Sequence, residues 1–190
     1  MCGRYAIYNK KKIKDIYNID IDLNYNVSPG NNILILDCNY VPRKMIWKFS
    51  PVWSNKNFNI INARSETLLV KNSFKNTLRC IVIADGYYEW KEDINYKKPF
   101  YFFKKTSFLF IAGIYNDTSG CCIVTKKSQT NISHIHHRQP LILDENNMRG
   151  WLDNTLDLKK EYNSDLYFHQ VSINVNNPQN NQEKNIKPIK

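Results

Sequence analysis

The sequence predicts an α+β fold: a single domain of mainly curved, barrel-like antiparallel β-sheet with a few peripheral helices. Three observations carry this expectation. Short apolar runs recur between turn signals, the pattern of strands. Only three segments have helical patterning. Most connections are short, which favours antiparallel neighbours, because parallel strands need a long crossover. A hydrophobic fraction of 42% over 190 residues suits one folded domain with a substantial core.

Taken in order, strands are expected at Ile33–Leu36, Ile81–Ala84, Phe100–Phe103, Phe108–Ile114, Cys121–Thr125, Pro140–Leu143 and Tyr167–Val171. The run from Arg79 is apolar as far as Ala84. It meets Asp85-Gly86, a turn or bulge signal, and continues into the aromatic strand Tyr87-Tyr88-Glu89-Trp90. A short helix is expected over Lys11–Tyr17. A second is expected over Ser65–Phe74, with Ser65 as N-cap and Leu68 and Leu69 turned inward. A third is expected over Asp144–Asp153, ending near Trp151-Leu152. The domain spans 1–175. The Asn- and Lys-rich stretch 176–190 is either a tail of that domain or partly disordered.

Charge narrows the partners. Lys and Arg total 27 against 17 Asp and Glu, a formal net charge of +10. Such a balance favours polyanions, nucleic acid first; solubility, or a lysine-rich proteome, is the blander explanation. No apolar run reaches the roughly eighteen residues of a membrane span, and no signal-peptide pattern opens the chain. A cytoplasmic monomer without a membrane partner is therefore expected, nucleoid-associated if the source is bacterial. Five cysteines, no Cys-x-x-Cys pair and no zinc-like Cys/His spacing predict free thiols, with no metal and no cofactor. Cys38, Cys80, Cys121 and Cys122 lie in or beside apolar runs and read as core.

Cys2 differs, because it follows Met1 directly. Methionine is normally trimmed before a small residue, which would leave Cys2 with a free α-amine and a thiol on adjacent carbons. Such a 1,2-aminothiol condenses with aldehydes: the amine forms a Schiff base, and the thiol closes a five-membered thiazolidine. Taken alone, the residue is more simply read as an incidental cysteine near a start codon. Three further segments carry chemistry. In Ile61-Asn62-Ala63-Arg64-Ser65-Glu66, an extended backbone would put Asn62 and Arg64 on one face, an amide beside a phosphate-binding fork; a helix start explains the same residues. Alternation puts Tyr87 and Glu89 on one face, and a carboxylate among aromatics has its proton affinity raised by desolvation; a surface Glu on an edge strand is the alternative. In Ser133-His134-Ile135-His136-His137-Arg138-Gln139-Pro140, imidazoles stand where a loop enters a strand, with no partner at metal-ligand spacing.

Together these segments resemble the SOS response-associated peptidase (SRAP) family, whose members protect abasic sites in DNA by thiazolidine crosslinking. The resemblance runs along nearly the whole chain: Met1-Cys2-Gly3-Arg4, Tyr25-Asn26-Val27-Ser28-Pro29-Gly30, Trp47-Lys48-Phe49-Ser50-Pro51-Val52-Trp53, Asn62-Ala63-Arg64-Ser65-Glu66, Ala84-Asp85-Gly86-Tyr87-Tyr88-Glu89-Trp90, Ala112-Gly113-Ile114-Tyr115, Ile123-Val124-Thr125, Ile135-His136-His137-Arg138-Gln139-Pro140 and Val171-Ser172-Ile173-Asn174-Val175-Asn176. It implies that Cys2 is the nucleophile, Asn62 positions it, Glu89 moves protons at the α-amine, and His136 is an acid/base at the sugar or Schiff base. It further implies phosphate contacts from Arg4, Arg64 and Arg138, a pocket lined by Asn26, Pro29 and Thr125, and stacking or wedging by Trp53. The partner implied is single-stranded DNA containing abasic sites. Lys48, His137 and Gln139 depart from the family pattern, and Lys126-Lys127 replace a less charged segment. Two other functions fit the same residues: a cysteine peptidase using Cys2 and His136, confined to Met1 or to itself, and a non-catalytic single-strand-binding module in which Cys2 only packs.

Overall fold

The structure is a computed structural model that describes residues 2–54 and 58–189. The strands are β1 (Tyr5–Ile7), β2 (Asn24–Val27), β3 (Asn32–Leu36), β4 (Pro42–Ile46), β5 (Asn62–Arg64), β6 (Leu78–Ala84), β7 (Gly86–Lys91), β8 (Lys98–Phe103), β9 (Leu109–Asn116), β10 (Gly120–Lys127), β11 (Arg138–Pro140), β12 (Ile142–Leu143) and β13 (Tyr167–Gln170). The α-helices are α1 (Lys10–Tyr17) and α2 (Glu145–Leu152). One sheet has the order β13-β8-β7-β1-β2. The larger has the order β11-β10-β9-β6-β3-β4, with β12 added on β9 and β5 on β10. The β5–β10 pairing is parallel and the other strand pairs are antiparallel. The sheets are curved but do not close into a barrel. Among the described residues, no helix is long and apolar enough to cross a membrane.

The two sheets share one core because β6 runs into β7 through a single bend at Asp85. That carboxylate accepts from the N–H groups of Tyr8 (2.6 Å) and Asn9 (3.0 Å), and the Asp85 N–H donates to the Ala6 carbonyl (2.8 Å). The bend is therefore tied to the end of β1 and the start of α1. Gly86 follows it because a Cβ there would collide with the Tyr101 ring and the Phe102 carbonyl. Four apolar residues of β6, Ile81 to Ala84, are fully buried, as a strand covered on both faces requires. Trp151 of α2 closes one face of β6, with its indole N–H donating to the Cys80 carbonyl (2.8 Å). The other buried tryptophan, Trp47, donates to the Ile61 carbonyl (2.9 Å). All five cysteines are free thiols; Cys80, Cys121 and Cys122 are core, and Cys38 is half-buried against the Tyr115 hydroxyl.

One local expectation needs correction. The helix expected over Ser65–Phe74 is two 3-10 turns, Ser65–Thr67 and Asn72–Phe74. Arg64, not Ser65, holds the N-cap position; Leu68 is buried, but Leu69 and Val70 face solvent. Asn72 and Ser73 are weak helix formers, and Leu68-Leu69-Val70 lacks the spacing of one apolar face, so nothing propagates the first turn. The Asn-rich C-terminal stretch, as far as Ile189, is fastened to the smaller sheet. Its 3-10 turns span Ile173–Asn176 and Glu183–Ile186, and Val171 bridges to Pro188. The buried Asn26 amide of β2 donates to the carbonyls of Val175, Asn177 and Asn180. Each such bond contributes on the order of 1 kcal/mol net.

Candidate active site at the head of the chain

β1 lies between β2 and β7, with Tyr5 across from Tyr87. Pairing runs past the strand end, where the Tyr88 N–H donates to the Arg4 carbonyl (2.9 Å). Continuing that register brings Gly3 alongside Glu89, so the first residues of the chain run past this carboxyl group. From the larger sheet, Asn62 opens β5 and donates its side-chain N–H to the Cys2 carbonyl (2.8 Å). Asn62 stands opposite Ile123 of β10, and Arg64 opposite Thr125. Two sheets thus converge on Cys2, which is fully buried.

Burial pushes the Glu89 carboxyl up to about 7, opposed by the positive charge of the amino terminus. It also pushes the Cys2 thiol far above its ordinary range, and Glu89 adds to the rise. The resting sulfur is a thiol, the opposite of the low-pKa thiolate of a reactive internal cysteine. His136 Nδ1 lies 3.8 Å from Glu89 Oε2. That is beyond hydrogen-bond range. Burial lowers the imidazole's proton affinity, so below about pH 7 the pair is a protonated carboxyl beside an imidazole that resists protonation. The Arg138 main chain fixes this ring: its N–H donates to Nδ1 (3.1 Å) and its carbonyl lies 2.9 Å from the same atom.

The hydroxyls of Tyr5 and Tyr87 and the Oδ1 of Asn62 are buried with no hydrogen-bond partner among the described residues. Both tyrosines feel the charge state of Cys2. Leaving such groups unmet costs roughly 1–3 kcal/mol each, which is tolerated where a ligand will meet them. Tyr5 was not singled out from the sequence. Its signal was its place opposite Tyr87, which requires knowing that β1 pairs with β7.

Cys2, Asn62, Glu89 and His136 are therefore brought together. Thr125 is buried one strand away from them, its hydroxyl on the Ala63 carbonyl (3.4 Å), and Arg64 is exposed on the neighbouring strand. The other arginines are engaged within the fold. Arg4 donates to Asn26 Oδ1 (2.8 Å) and the Val175 carbonyl (2.9 Å). Arg138 grips the Glu66 carboxylate with both arms of its fork (2.5 and 3.0 Å) and also donates to the Thr125 carbonyl (2.7 Å). A phosphate reaching either arginine must compete with these partners. The Arg138 bond holds Glu66 below its ordinary carboxylate range, and no sequence signal identified Glu66 as that partner. Asn26 is buried under the C-terminal segment, whereas Pro29 is exposed on the turn after β2. Trp53 is 63% exposed beside Phe58, over a separate cleft of about 430 Å³ that also includes Phe49 and Asn116. No group of three or more His, Cys, Asp or Glu side chains suited to a metal occurs among the described residues.

The neighbouring imidazoles are separated by geometry. His136 turns toward Glu89, while His137 is exposed with its ring centroid 4.5 Å away from that of His136. His136→Ala is expected to slow any chemistry at Cys2 by on the order of a hundredfold, the scale of a lost acid/base. His137→Ala is expected to change it less than threefold. Single-turnover rates at Cys2 check this, and a slow His137→Ala beside a fast His136→Ala would reverse the assignment.

The fold and site define a class: α+β proteins that assemble an amide, a carboxyl group and an imidazole from two sheets around a cysteine at the head of the first strand. Residues 1–178 match the SOS response associated peptidase (SRAP) family, and the chain belongs to that family. It is 35% identical over 222 residues to the abasic site processing protein YoqW of Bacillus subtilis (strain 168), covering 98% of this chain and 99% of that protein. It is 28% identical over 226 residues to the abasic site processing protein YedK of Escherichia coli (strain K12), covering both completely. A crystal structure of a Bacteroides thetaiotaomicron protein shares the fold, with a TM-score of 0.79 at 22% identity over 98% of this chain and 92% of that one.

Proposed function

We propose that this protein processes abasic sites by capturing their aldehyde on Cys2 once Met1 has been removed, forming a thiazolidine crosslink in single-stranded DNA. The observation that carries the reading is the fully buried Cys2, held through its own carbonyl by Asn62 near the head of the chain beside Glu89. An abasic site exists partly as an open-chain aldehyde. The α-amine of Cys2 adds to it, and loss of water gives the imine. The thiol then adds across C=N: the S–C bond forms and the thiol proton passes to nitrogen. Glu89 as carboxylate takes the proton that the amine must lose, and His136 delivers one to the departing oxygen. A high-pKa thiol suits this order, because it attacks only after the imine has formed next to it. Arg64 and the basic surface gather the strand through its phosphates.

Relatives named for abasic-site processing support this reading over an internal peptidase. The neutral thiol also weighs against a resting Cys–His ion pair. Incubating the mature protein with abasic and intact oligonucleotides is expected to give a heat-stable species only with the former. Its mass should be that of protein plus oligonucleotide less one water. A variant retaining one extra residue before Cys2 should bind strands without forming that species. Equal crosslinking by the extended protein would make Cys2 an ordinary thiol and overturn the reading.

A further inference from the structure

β10 does not end at Thr125. Lys126 and Lys127 continue it, Ser128 and Gln129 turn the chain, and Lys160 approaches from the loop after α2; these residues line a cleft of about 190 Å³. Across the strand, Lys127 faces Arg138 and Lys126 faces Gln139, so the cleft adjoins the end of the candidate site.

Two observations mark it as built to receive an anion. None of the three lysines has an ion-pair partner among the described residues. Lys126 is half-buried, and its ammonium has the Asn163 side-chain carbonyl at 3.4 Å. Burial lowers its proton affinity, and nearby Glu161, the one acid on the wall, offsets this in part. The second observation is independent of charge. Ser128 is 8% exposed, and its hydroxyl is buried without a hydrogen-bond partner. The neighbouring polar groups are already spent: the Ser128 N–H donates to the His137 carbonyl, and the Gln129 N–H to Gln139 Oε1. An unmet hydroxyl on a residue that shares the cleft with three lysines outside any ion pair among the described residues fits a tetrahedral oxyanion, which supplies acceptors for both.

We propose that this cleft is a backbone-phosphate subsite, holding a nucleotide beyond the one at Cys2 as the strand leaves the reaction centre along β10. The inference rests on the single-strand reading above. It assigns to Lys126, Ser128 and Lys160 a role separate from the chemistry: they set how much strand the protein holds, and not how fast Cys2 reacts.

The test uses the full chain and two intact single strands of roughly 4 and 16 nucleotides. For Lys126→Ala/Lys160→Ala, the log–log salt slope on the long strand should flatten by roughly 1.4, at about 0.7 per phosphate contact. On the short strand the slope should stay unchanged, as should the adduct rate at saturating abasic oligonucleotide. Ser128→Ala should weaken long-strand binding with no change of slope, as loss of an uncharged donor requires. Lys160→Ala alone, at an exposed position, keeps the test valid if replacing half-buried Lys126 unfolds the protein. An unchanged long-strand slope overturns the proposal. So does thermal stabilisation by inorganic phosphate that is lost in the double variant while its DNA slope stays intact, which would assign the cleft to free phosphate. The parent's adduct with a short abasic strand reports separately on the aldehyde-capture reading.

Discussion

Cys2→Ala protein is expected to form no heat-stable adduct with an abasic oligonucleotide, while keeping most of its affinity for single strands. The effect is all-or-none, because the substitution deletes the sulfur that closes the ring and leaves only a hydrolysable imine on the α-amine. Affinity is expected to survive, because the proposed reading places it in phosphate contacts and stacking on the surface and not in a side chain that is fully buried. Denaturing gels after heating measure the first quantity, and fluorescence anisotropy the second. An undiminished adduct in Cys2→Ala would move the chemistry to another nucleophile. A collapse of affinity would make Cys2 chiefly a packing residue.

Glu89→Gln is expected to act on both rate and stability, with opposite sign. The parent's crosslinking rate should climb with pH through about 7, as the buried carboxyl group becomes a base. The variant should lack that rise and be slower at pH 7.5 by on the order of a hundredfold, the contribution of a positioned base. Stability follows linkage. The folded carboxyl group titrates above its unfolded value, so the folded state binds more protons and stability falls as pH rises from about 4.5 to about 7. That shift corresponds to roughly 3 kcal/mol lost by the parent across the interval. The glutamine variant should be stable to the same degree at both ends of it. Urea unfolding at pH 4.5 and pH 8 checks the slope; a parent whose stability is flat over that range would mean that Glu89 is hydrated and not the site's base.

How much of this was legible in the sequence depends on how each element is stabilised. The apolar run Ile81–Ala84 announced a strand because burial on both faces leaves no other choice of residues. Asp144 announced α2 because its side chain caps the Asn147 N–H. By contrast β1, β2 and β4 were missed. Tyr5–Ile7 is three residues long, and Pro42-Arg43-Lys44-Met45-Ile46 reads as polar because β4 ends the sheet order. Cys2, Asn62, Glu89 and His136 were named together through the family resemblance, and the structure brings them to one place. Their supports were not. The Arg138–Glu66 pair spans 72 positions and Arg4–Asn26 spans 22, and no local pattern encodes which partner a fork will choose. Composition left two alternatives open for the Asn-rich segment for a related reason: each asparagine is a potential partner for a particular carbonyl, and no local pattern says which.

The bond from Arg4 to the Val175 carbonyl joins positions 171 apart, and the Tyr5–Tyr87 pairing also reaches far along the chain. During synthesis the head of the chain leaves the ribosome first, and the groups that dock it are made later, from Asn26 through Asn62 and Tyr87 to Val175. The surroundings of Cys2 are therefore completed by contacts that reach far along the chain. Assembly of the site is a non-local step of folding, of the kind that a high contact order makes slow.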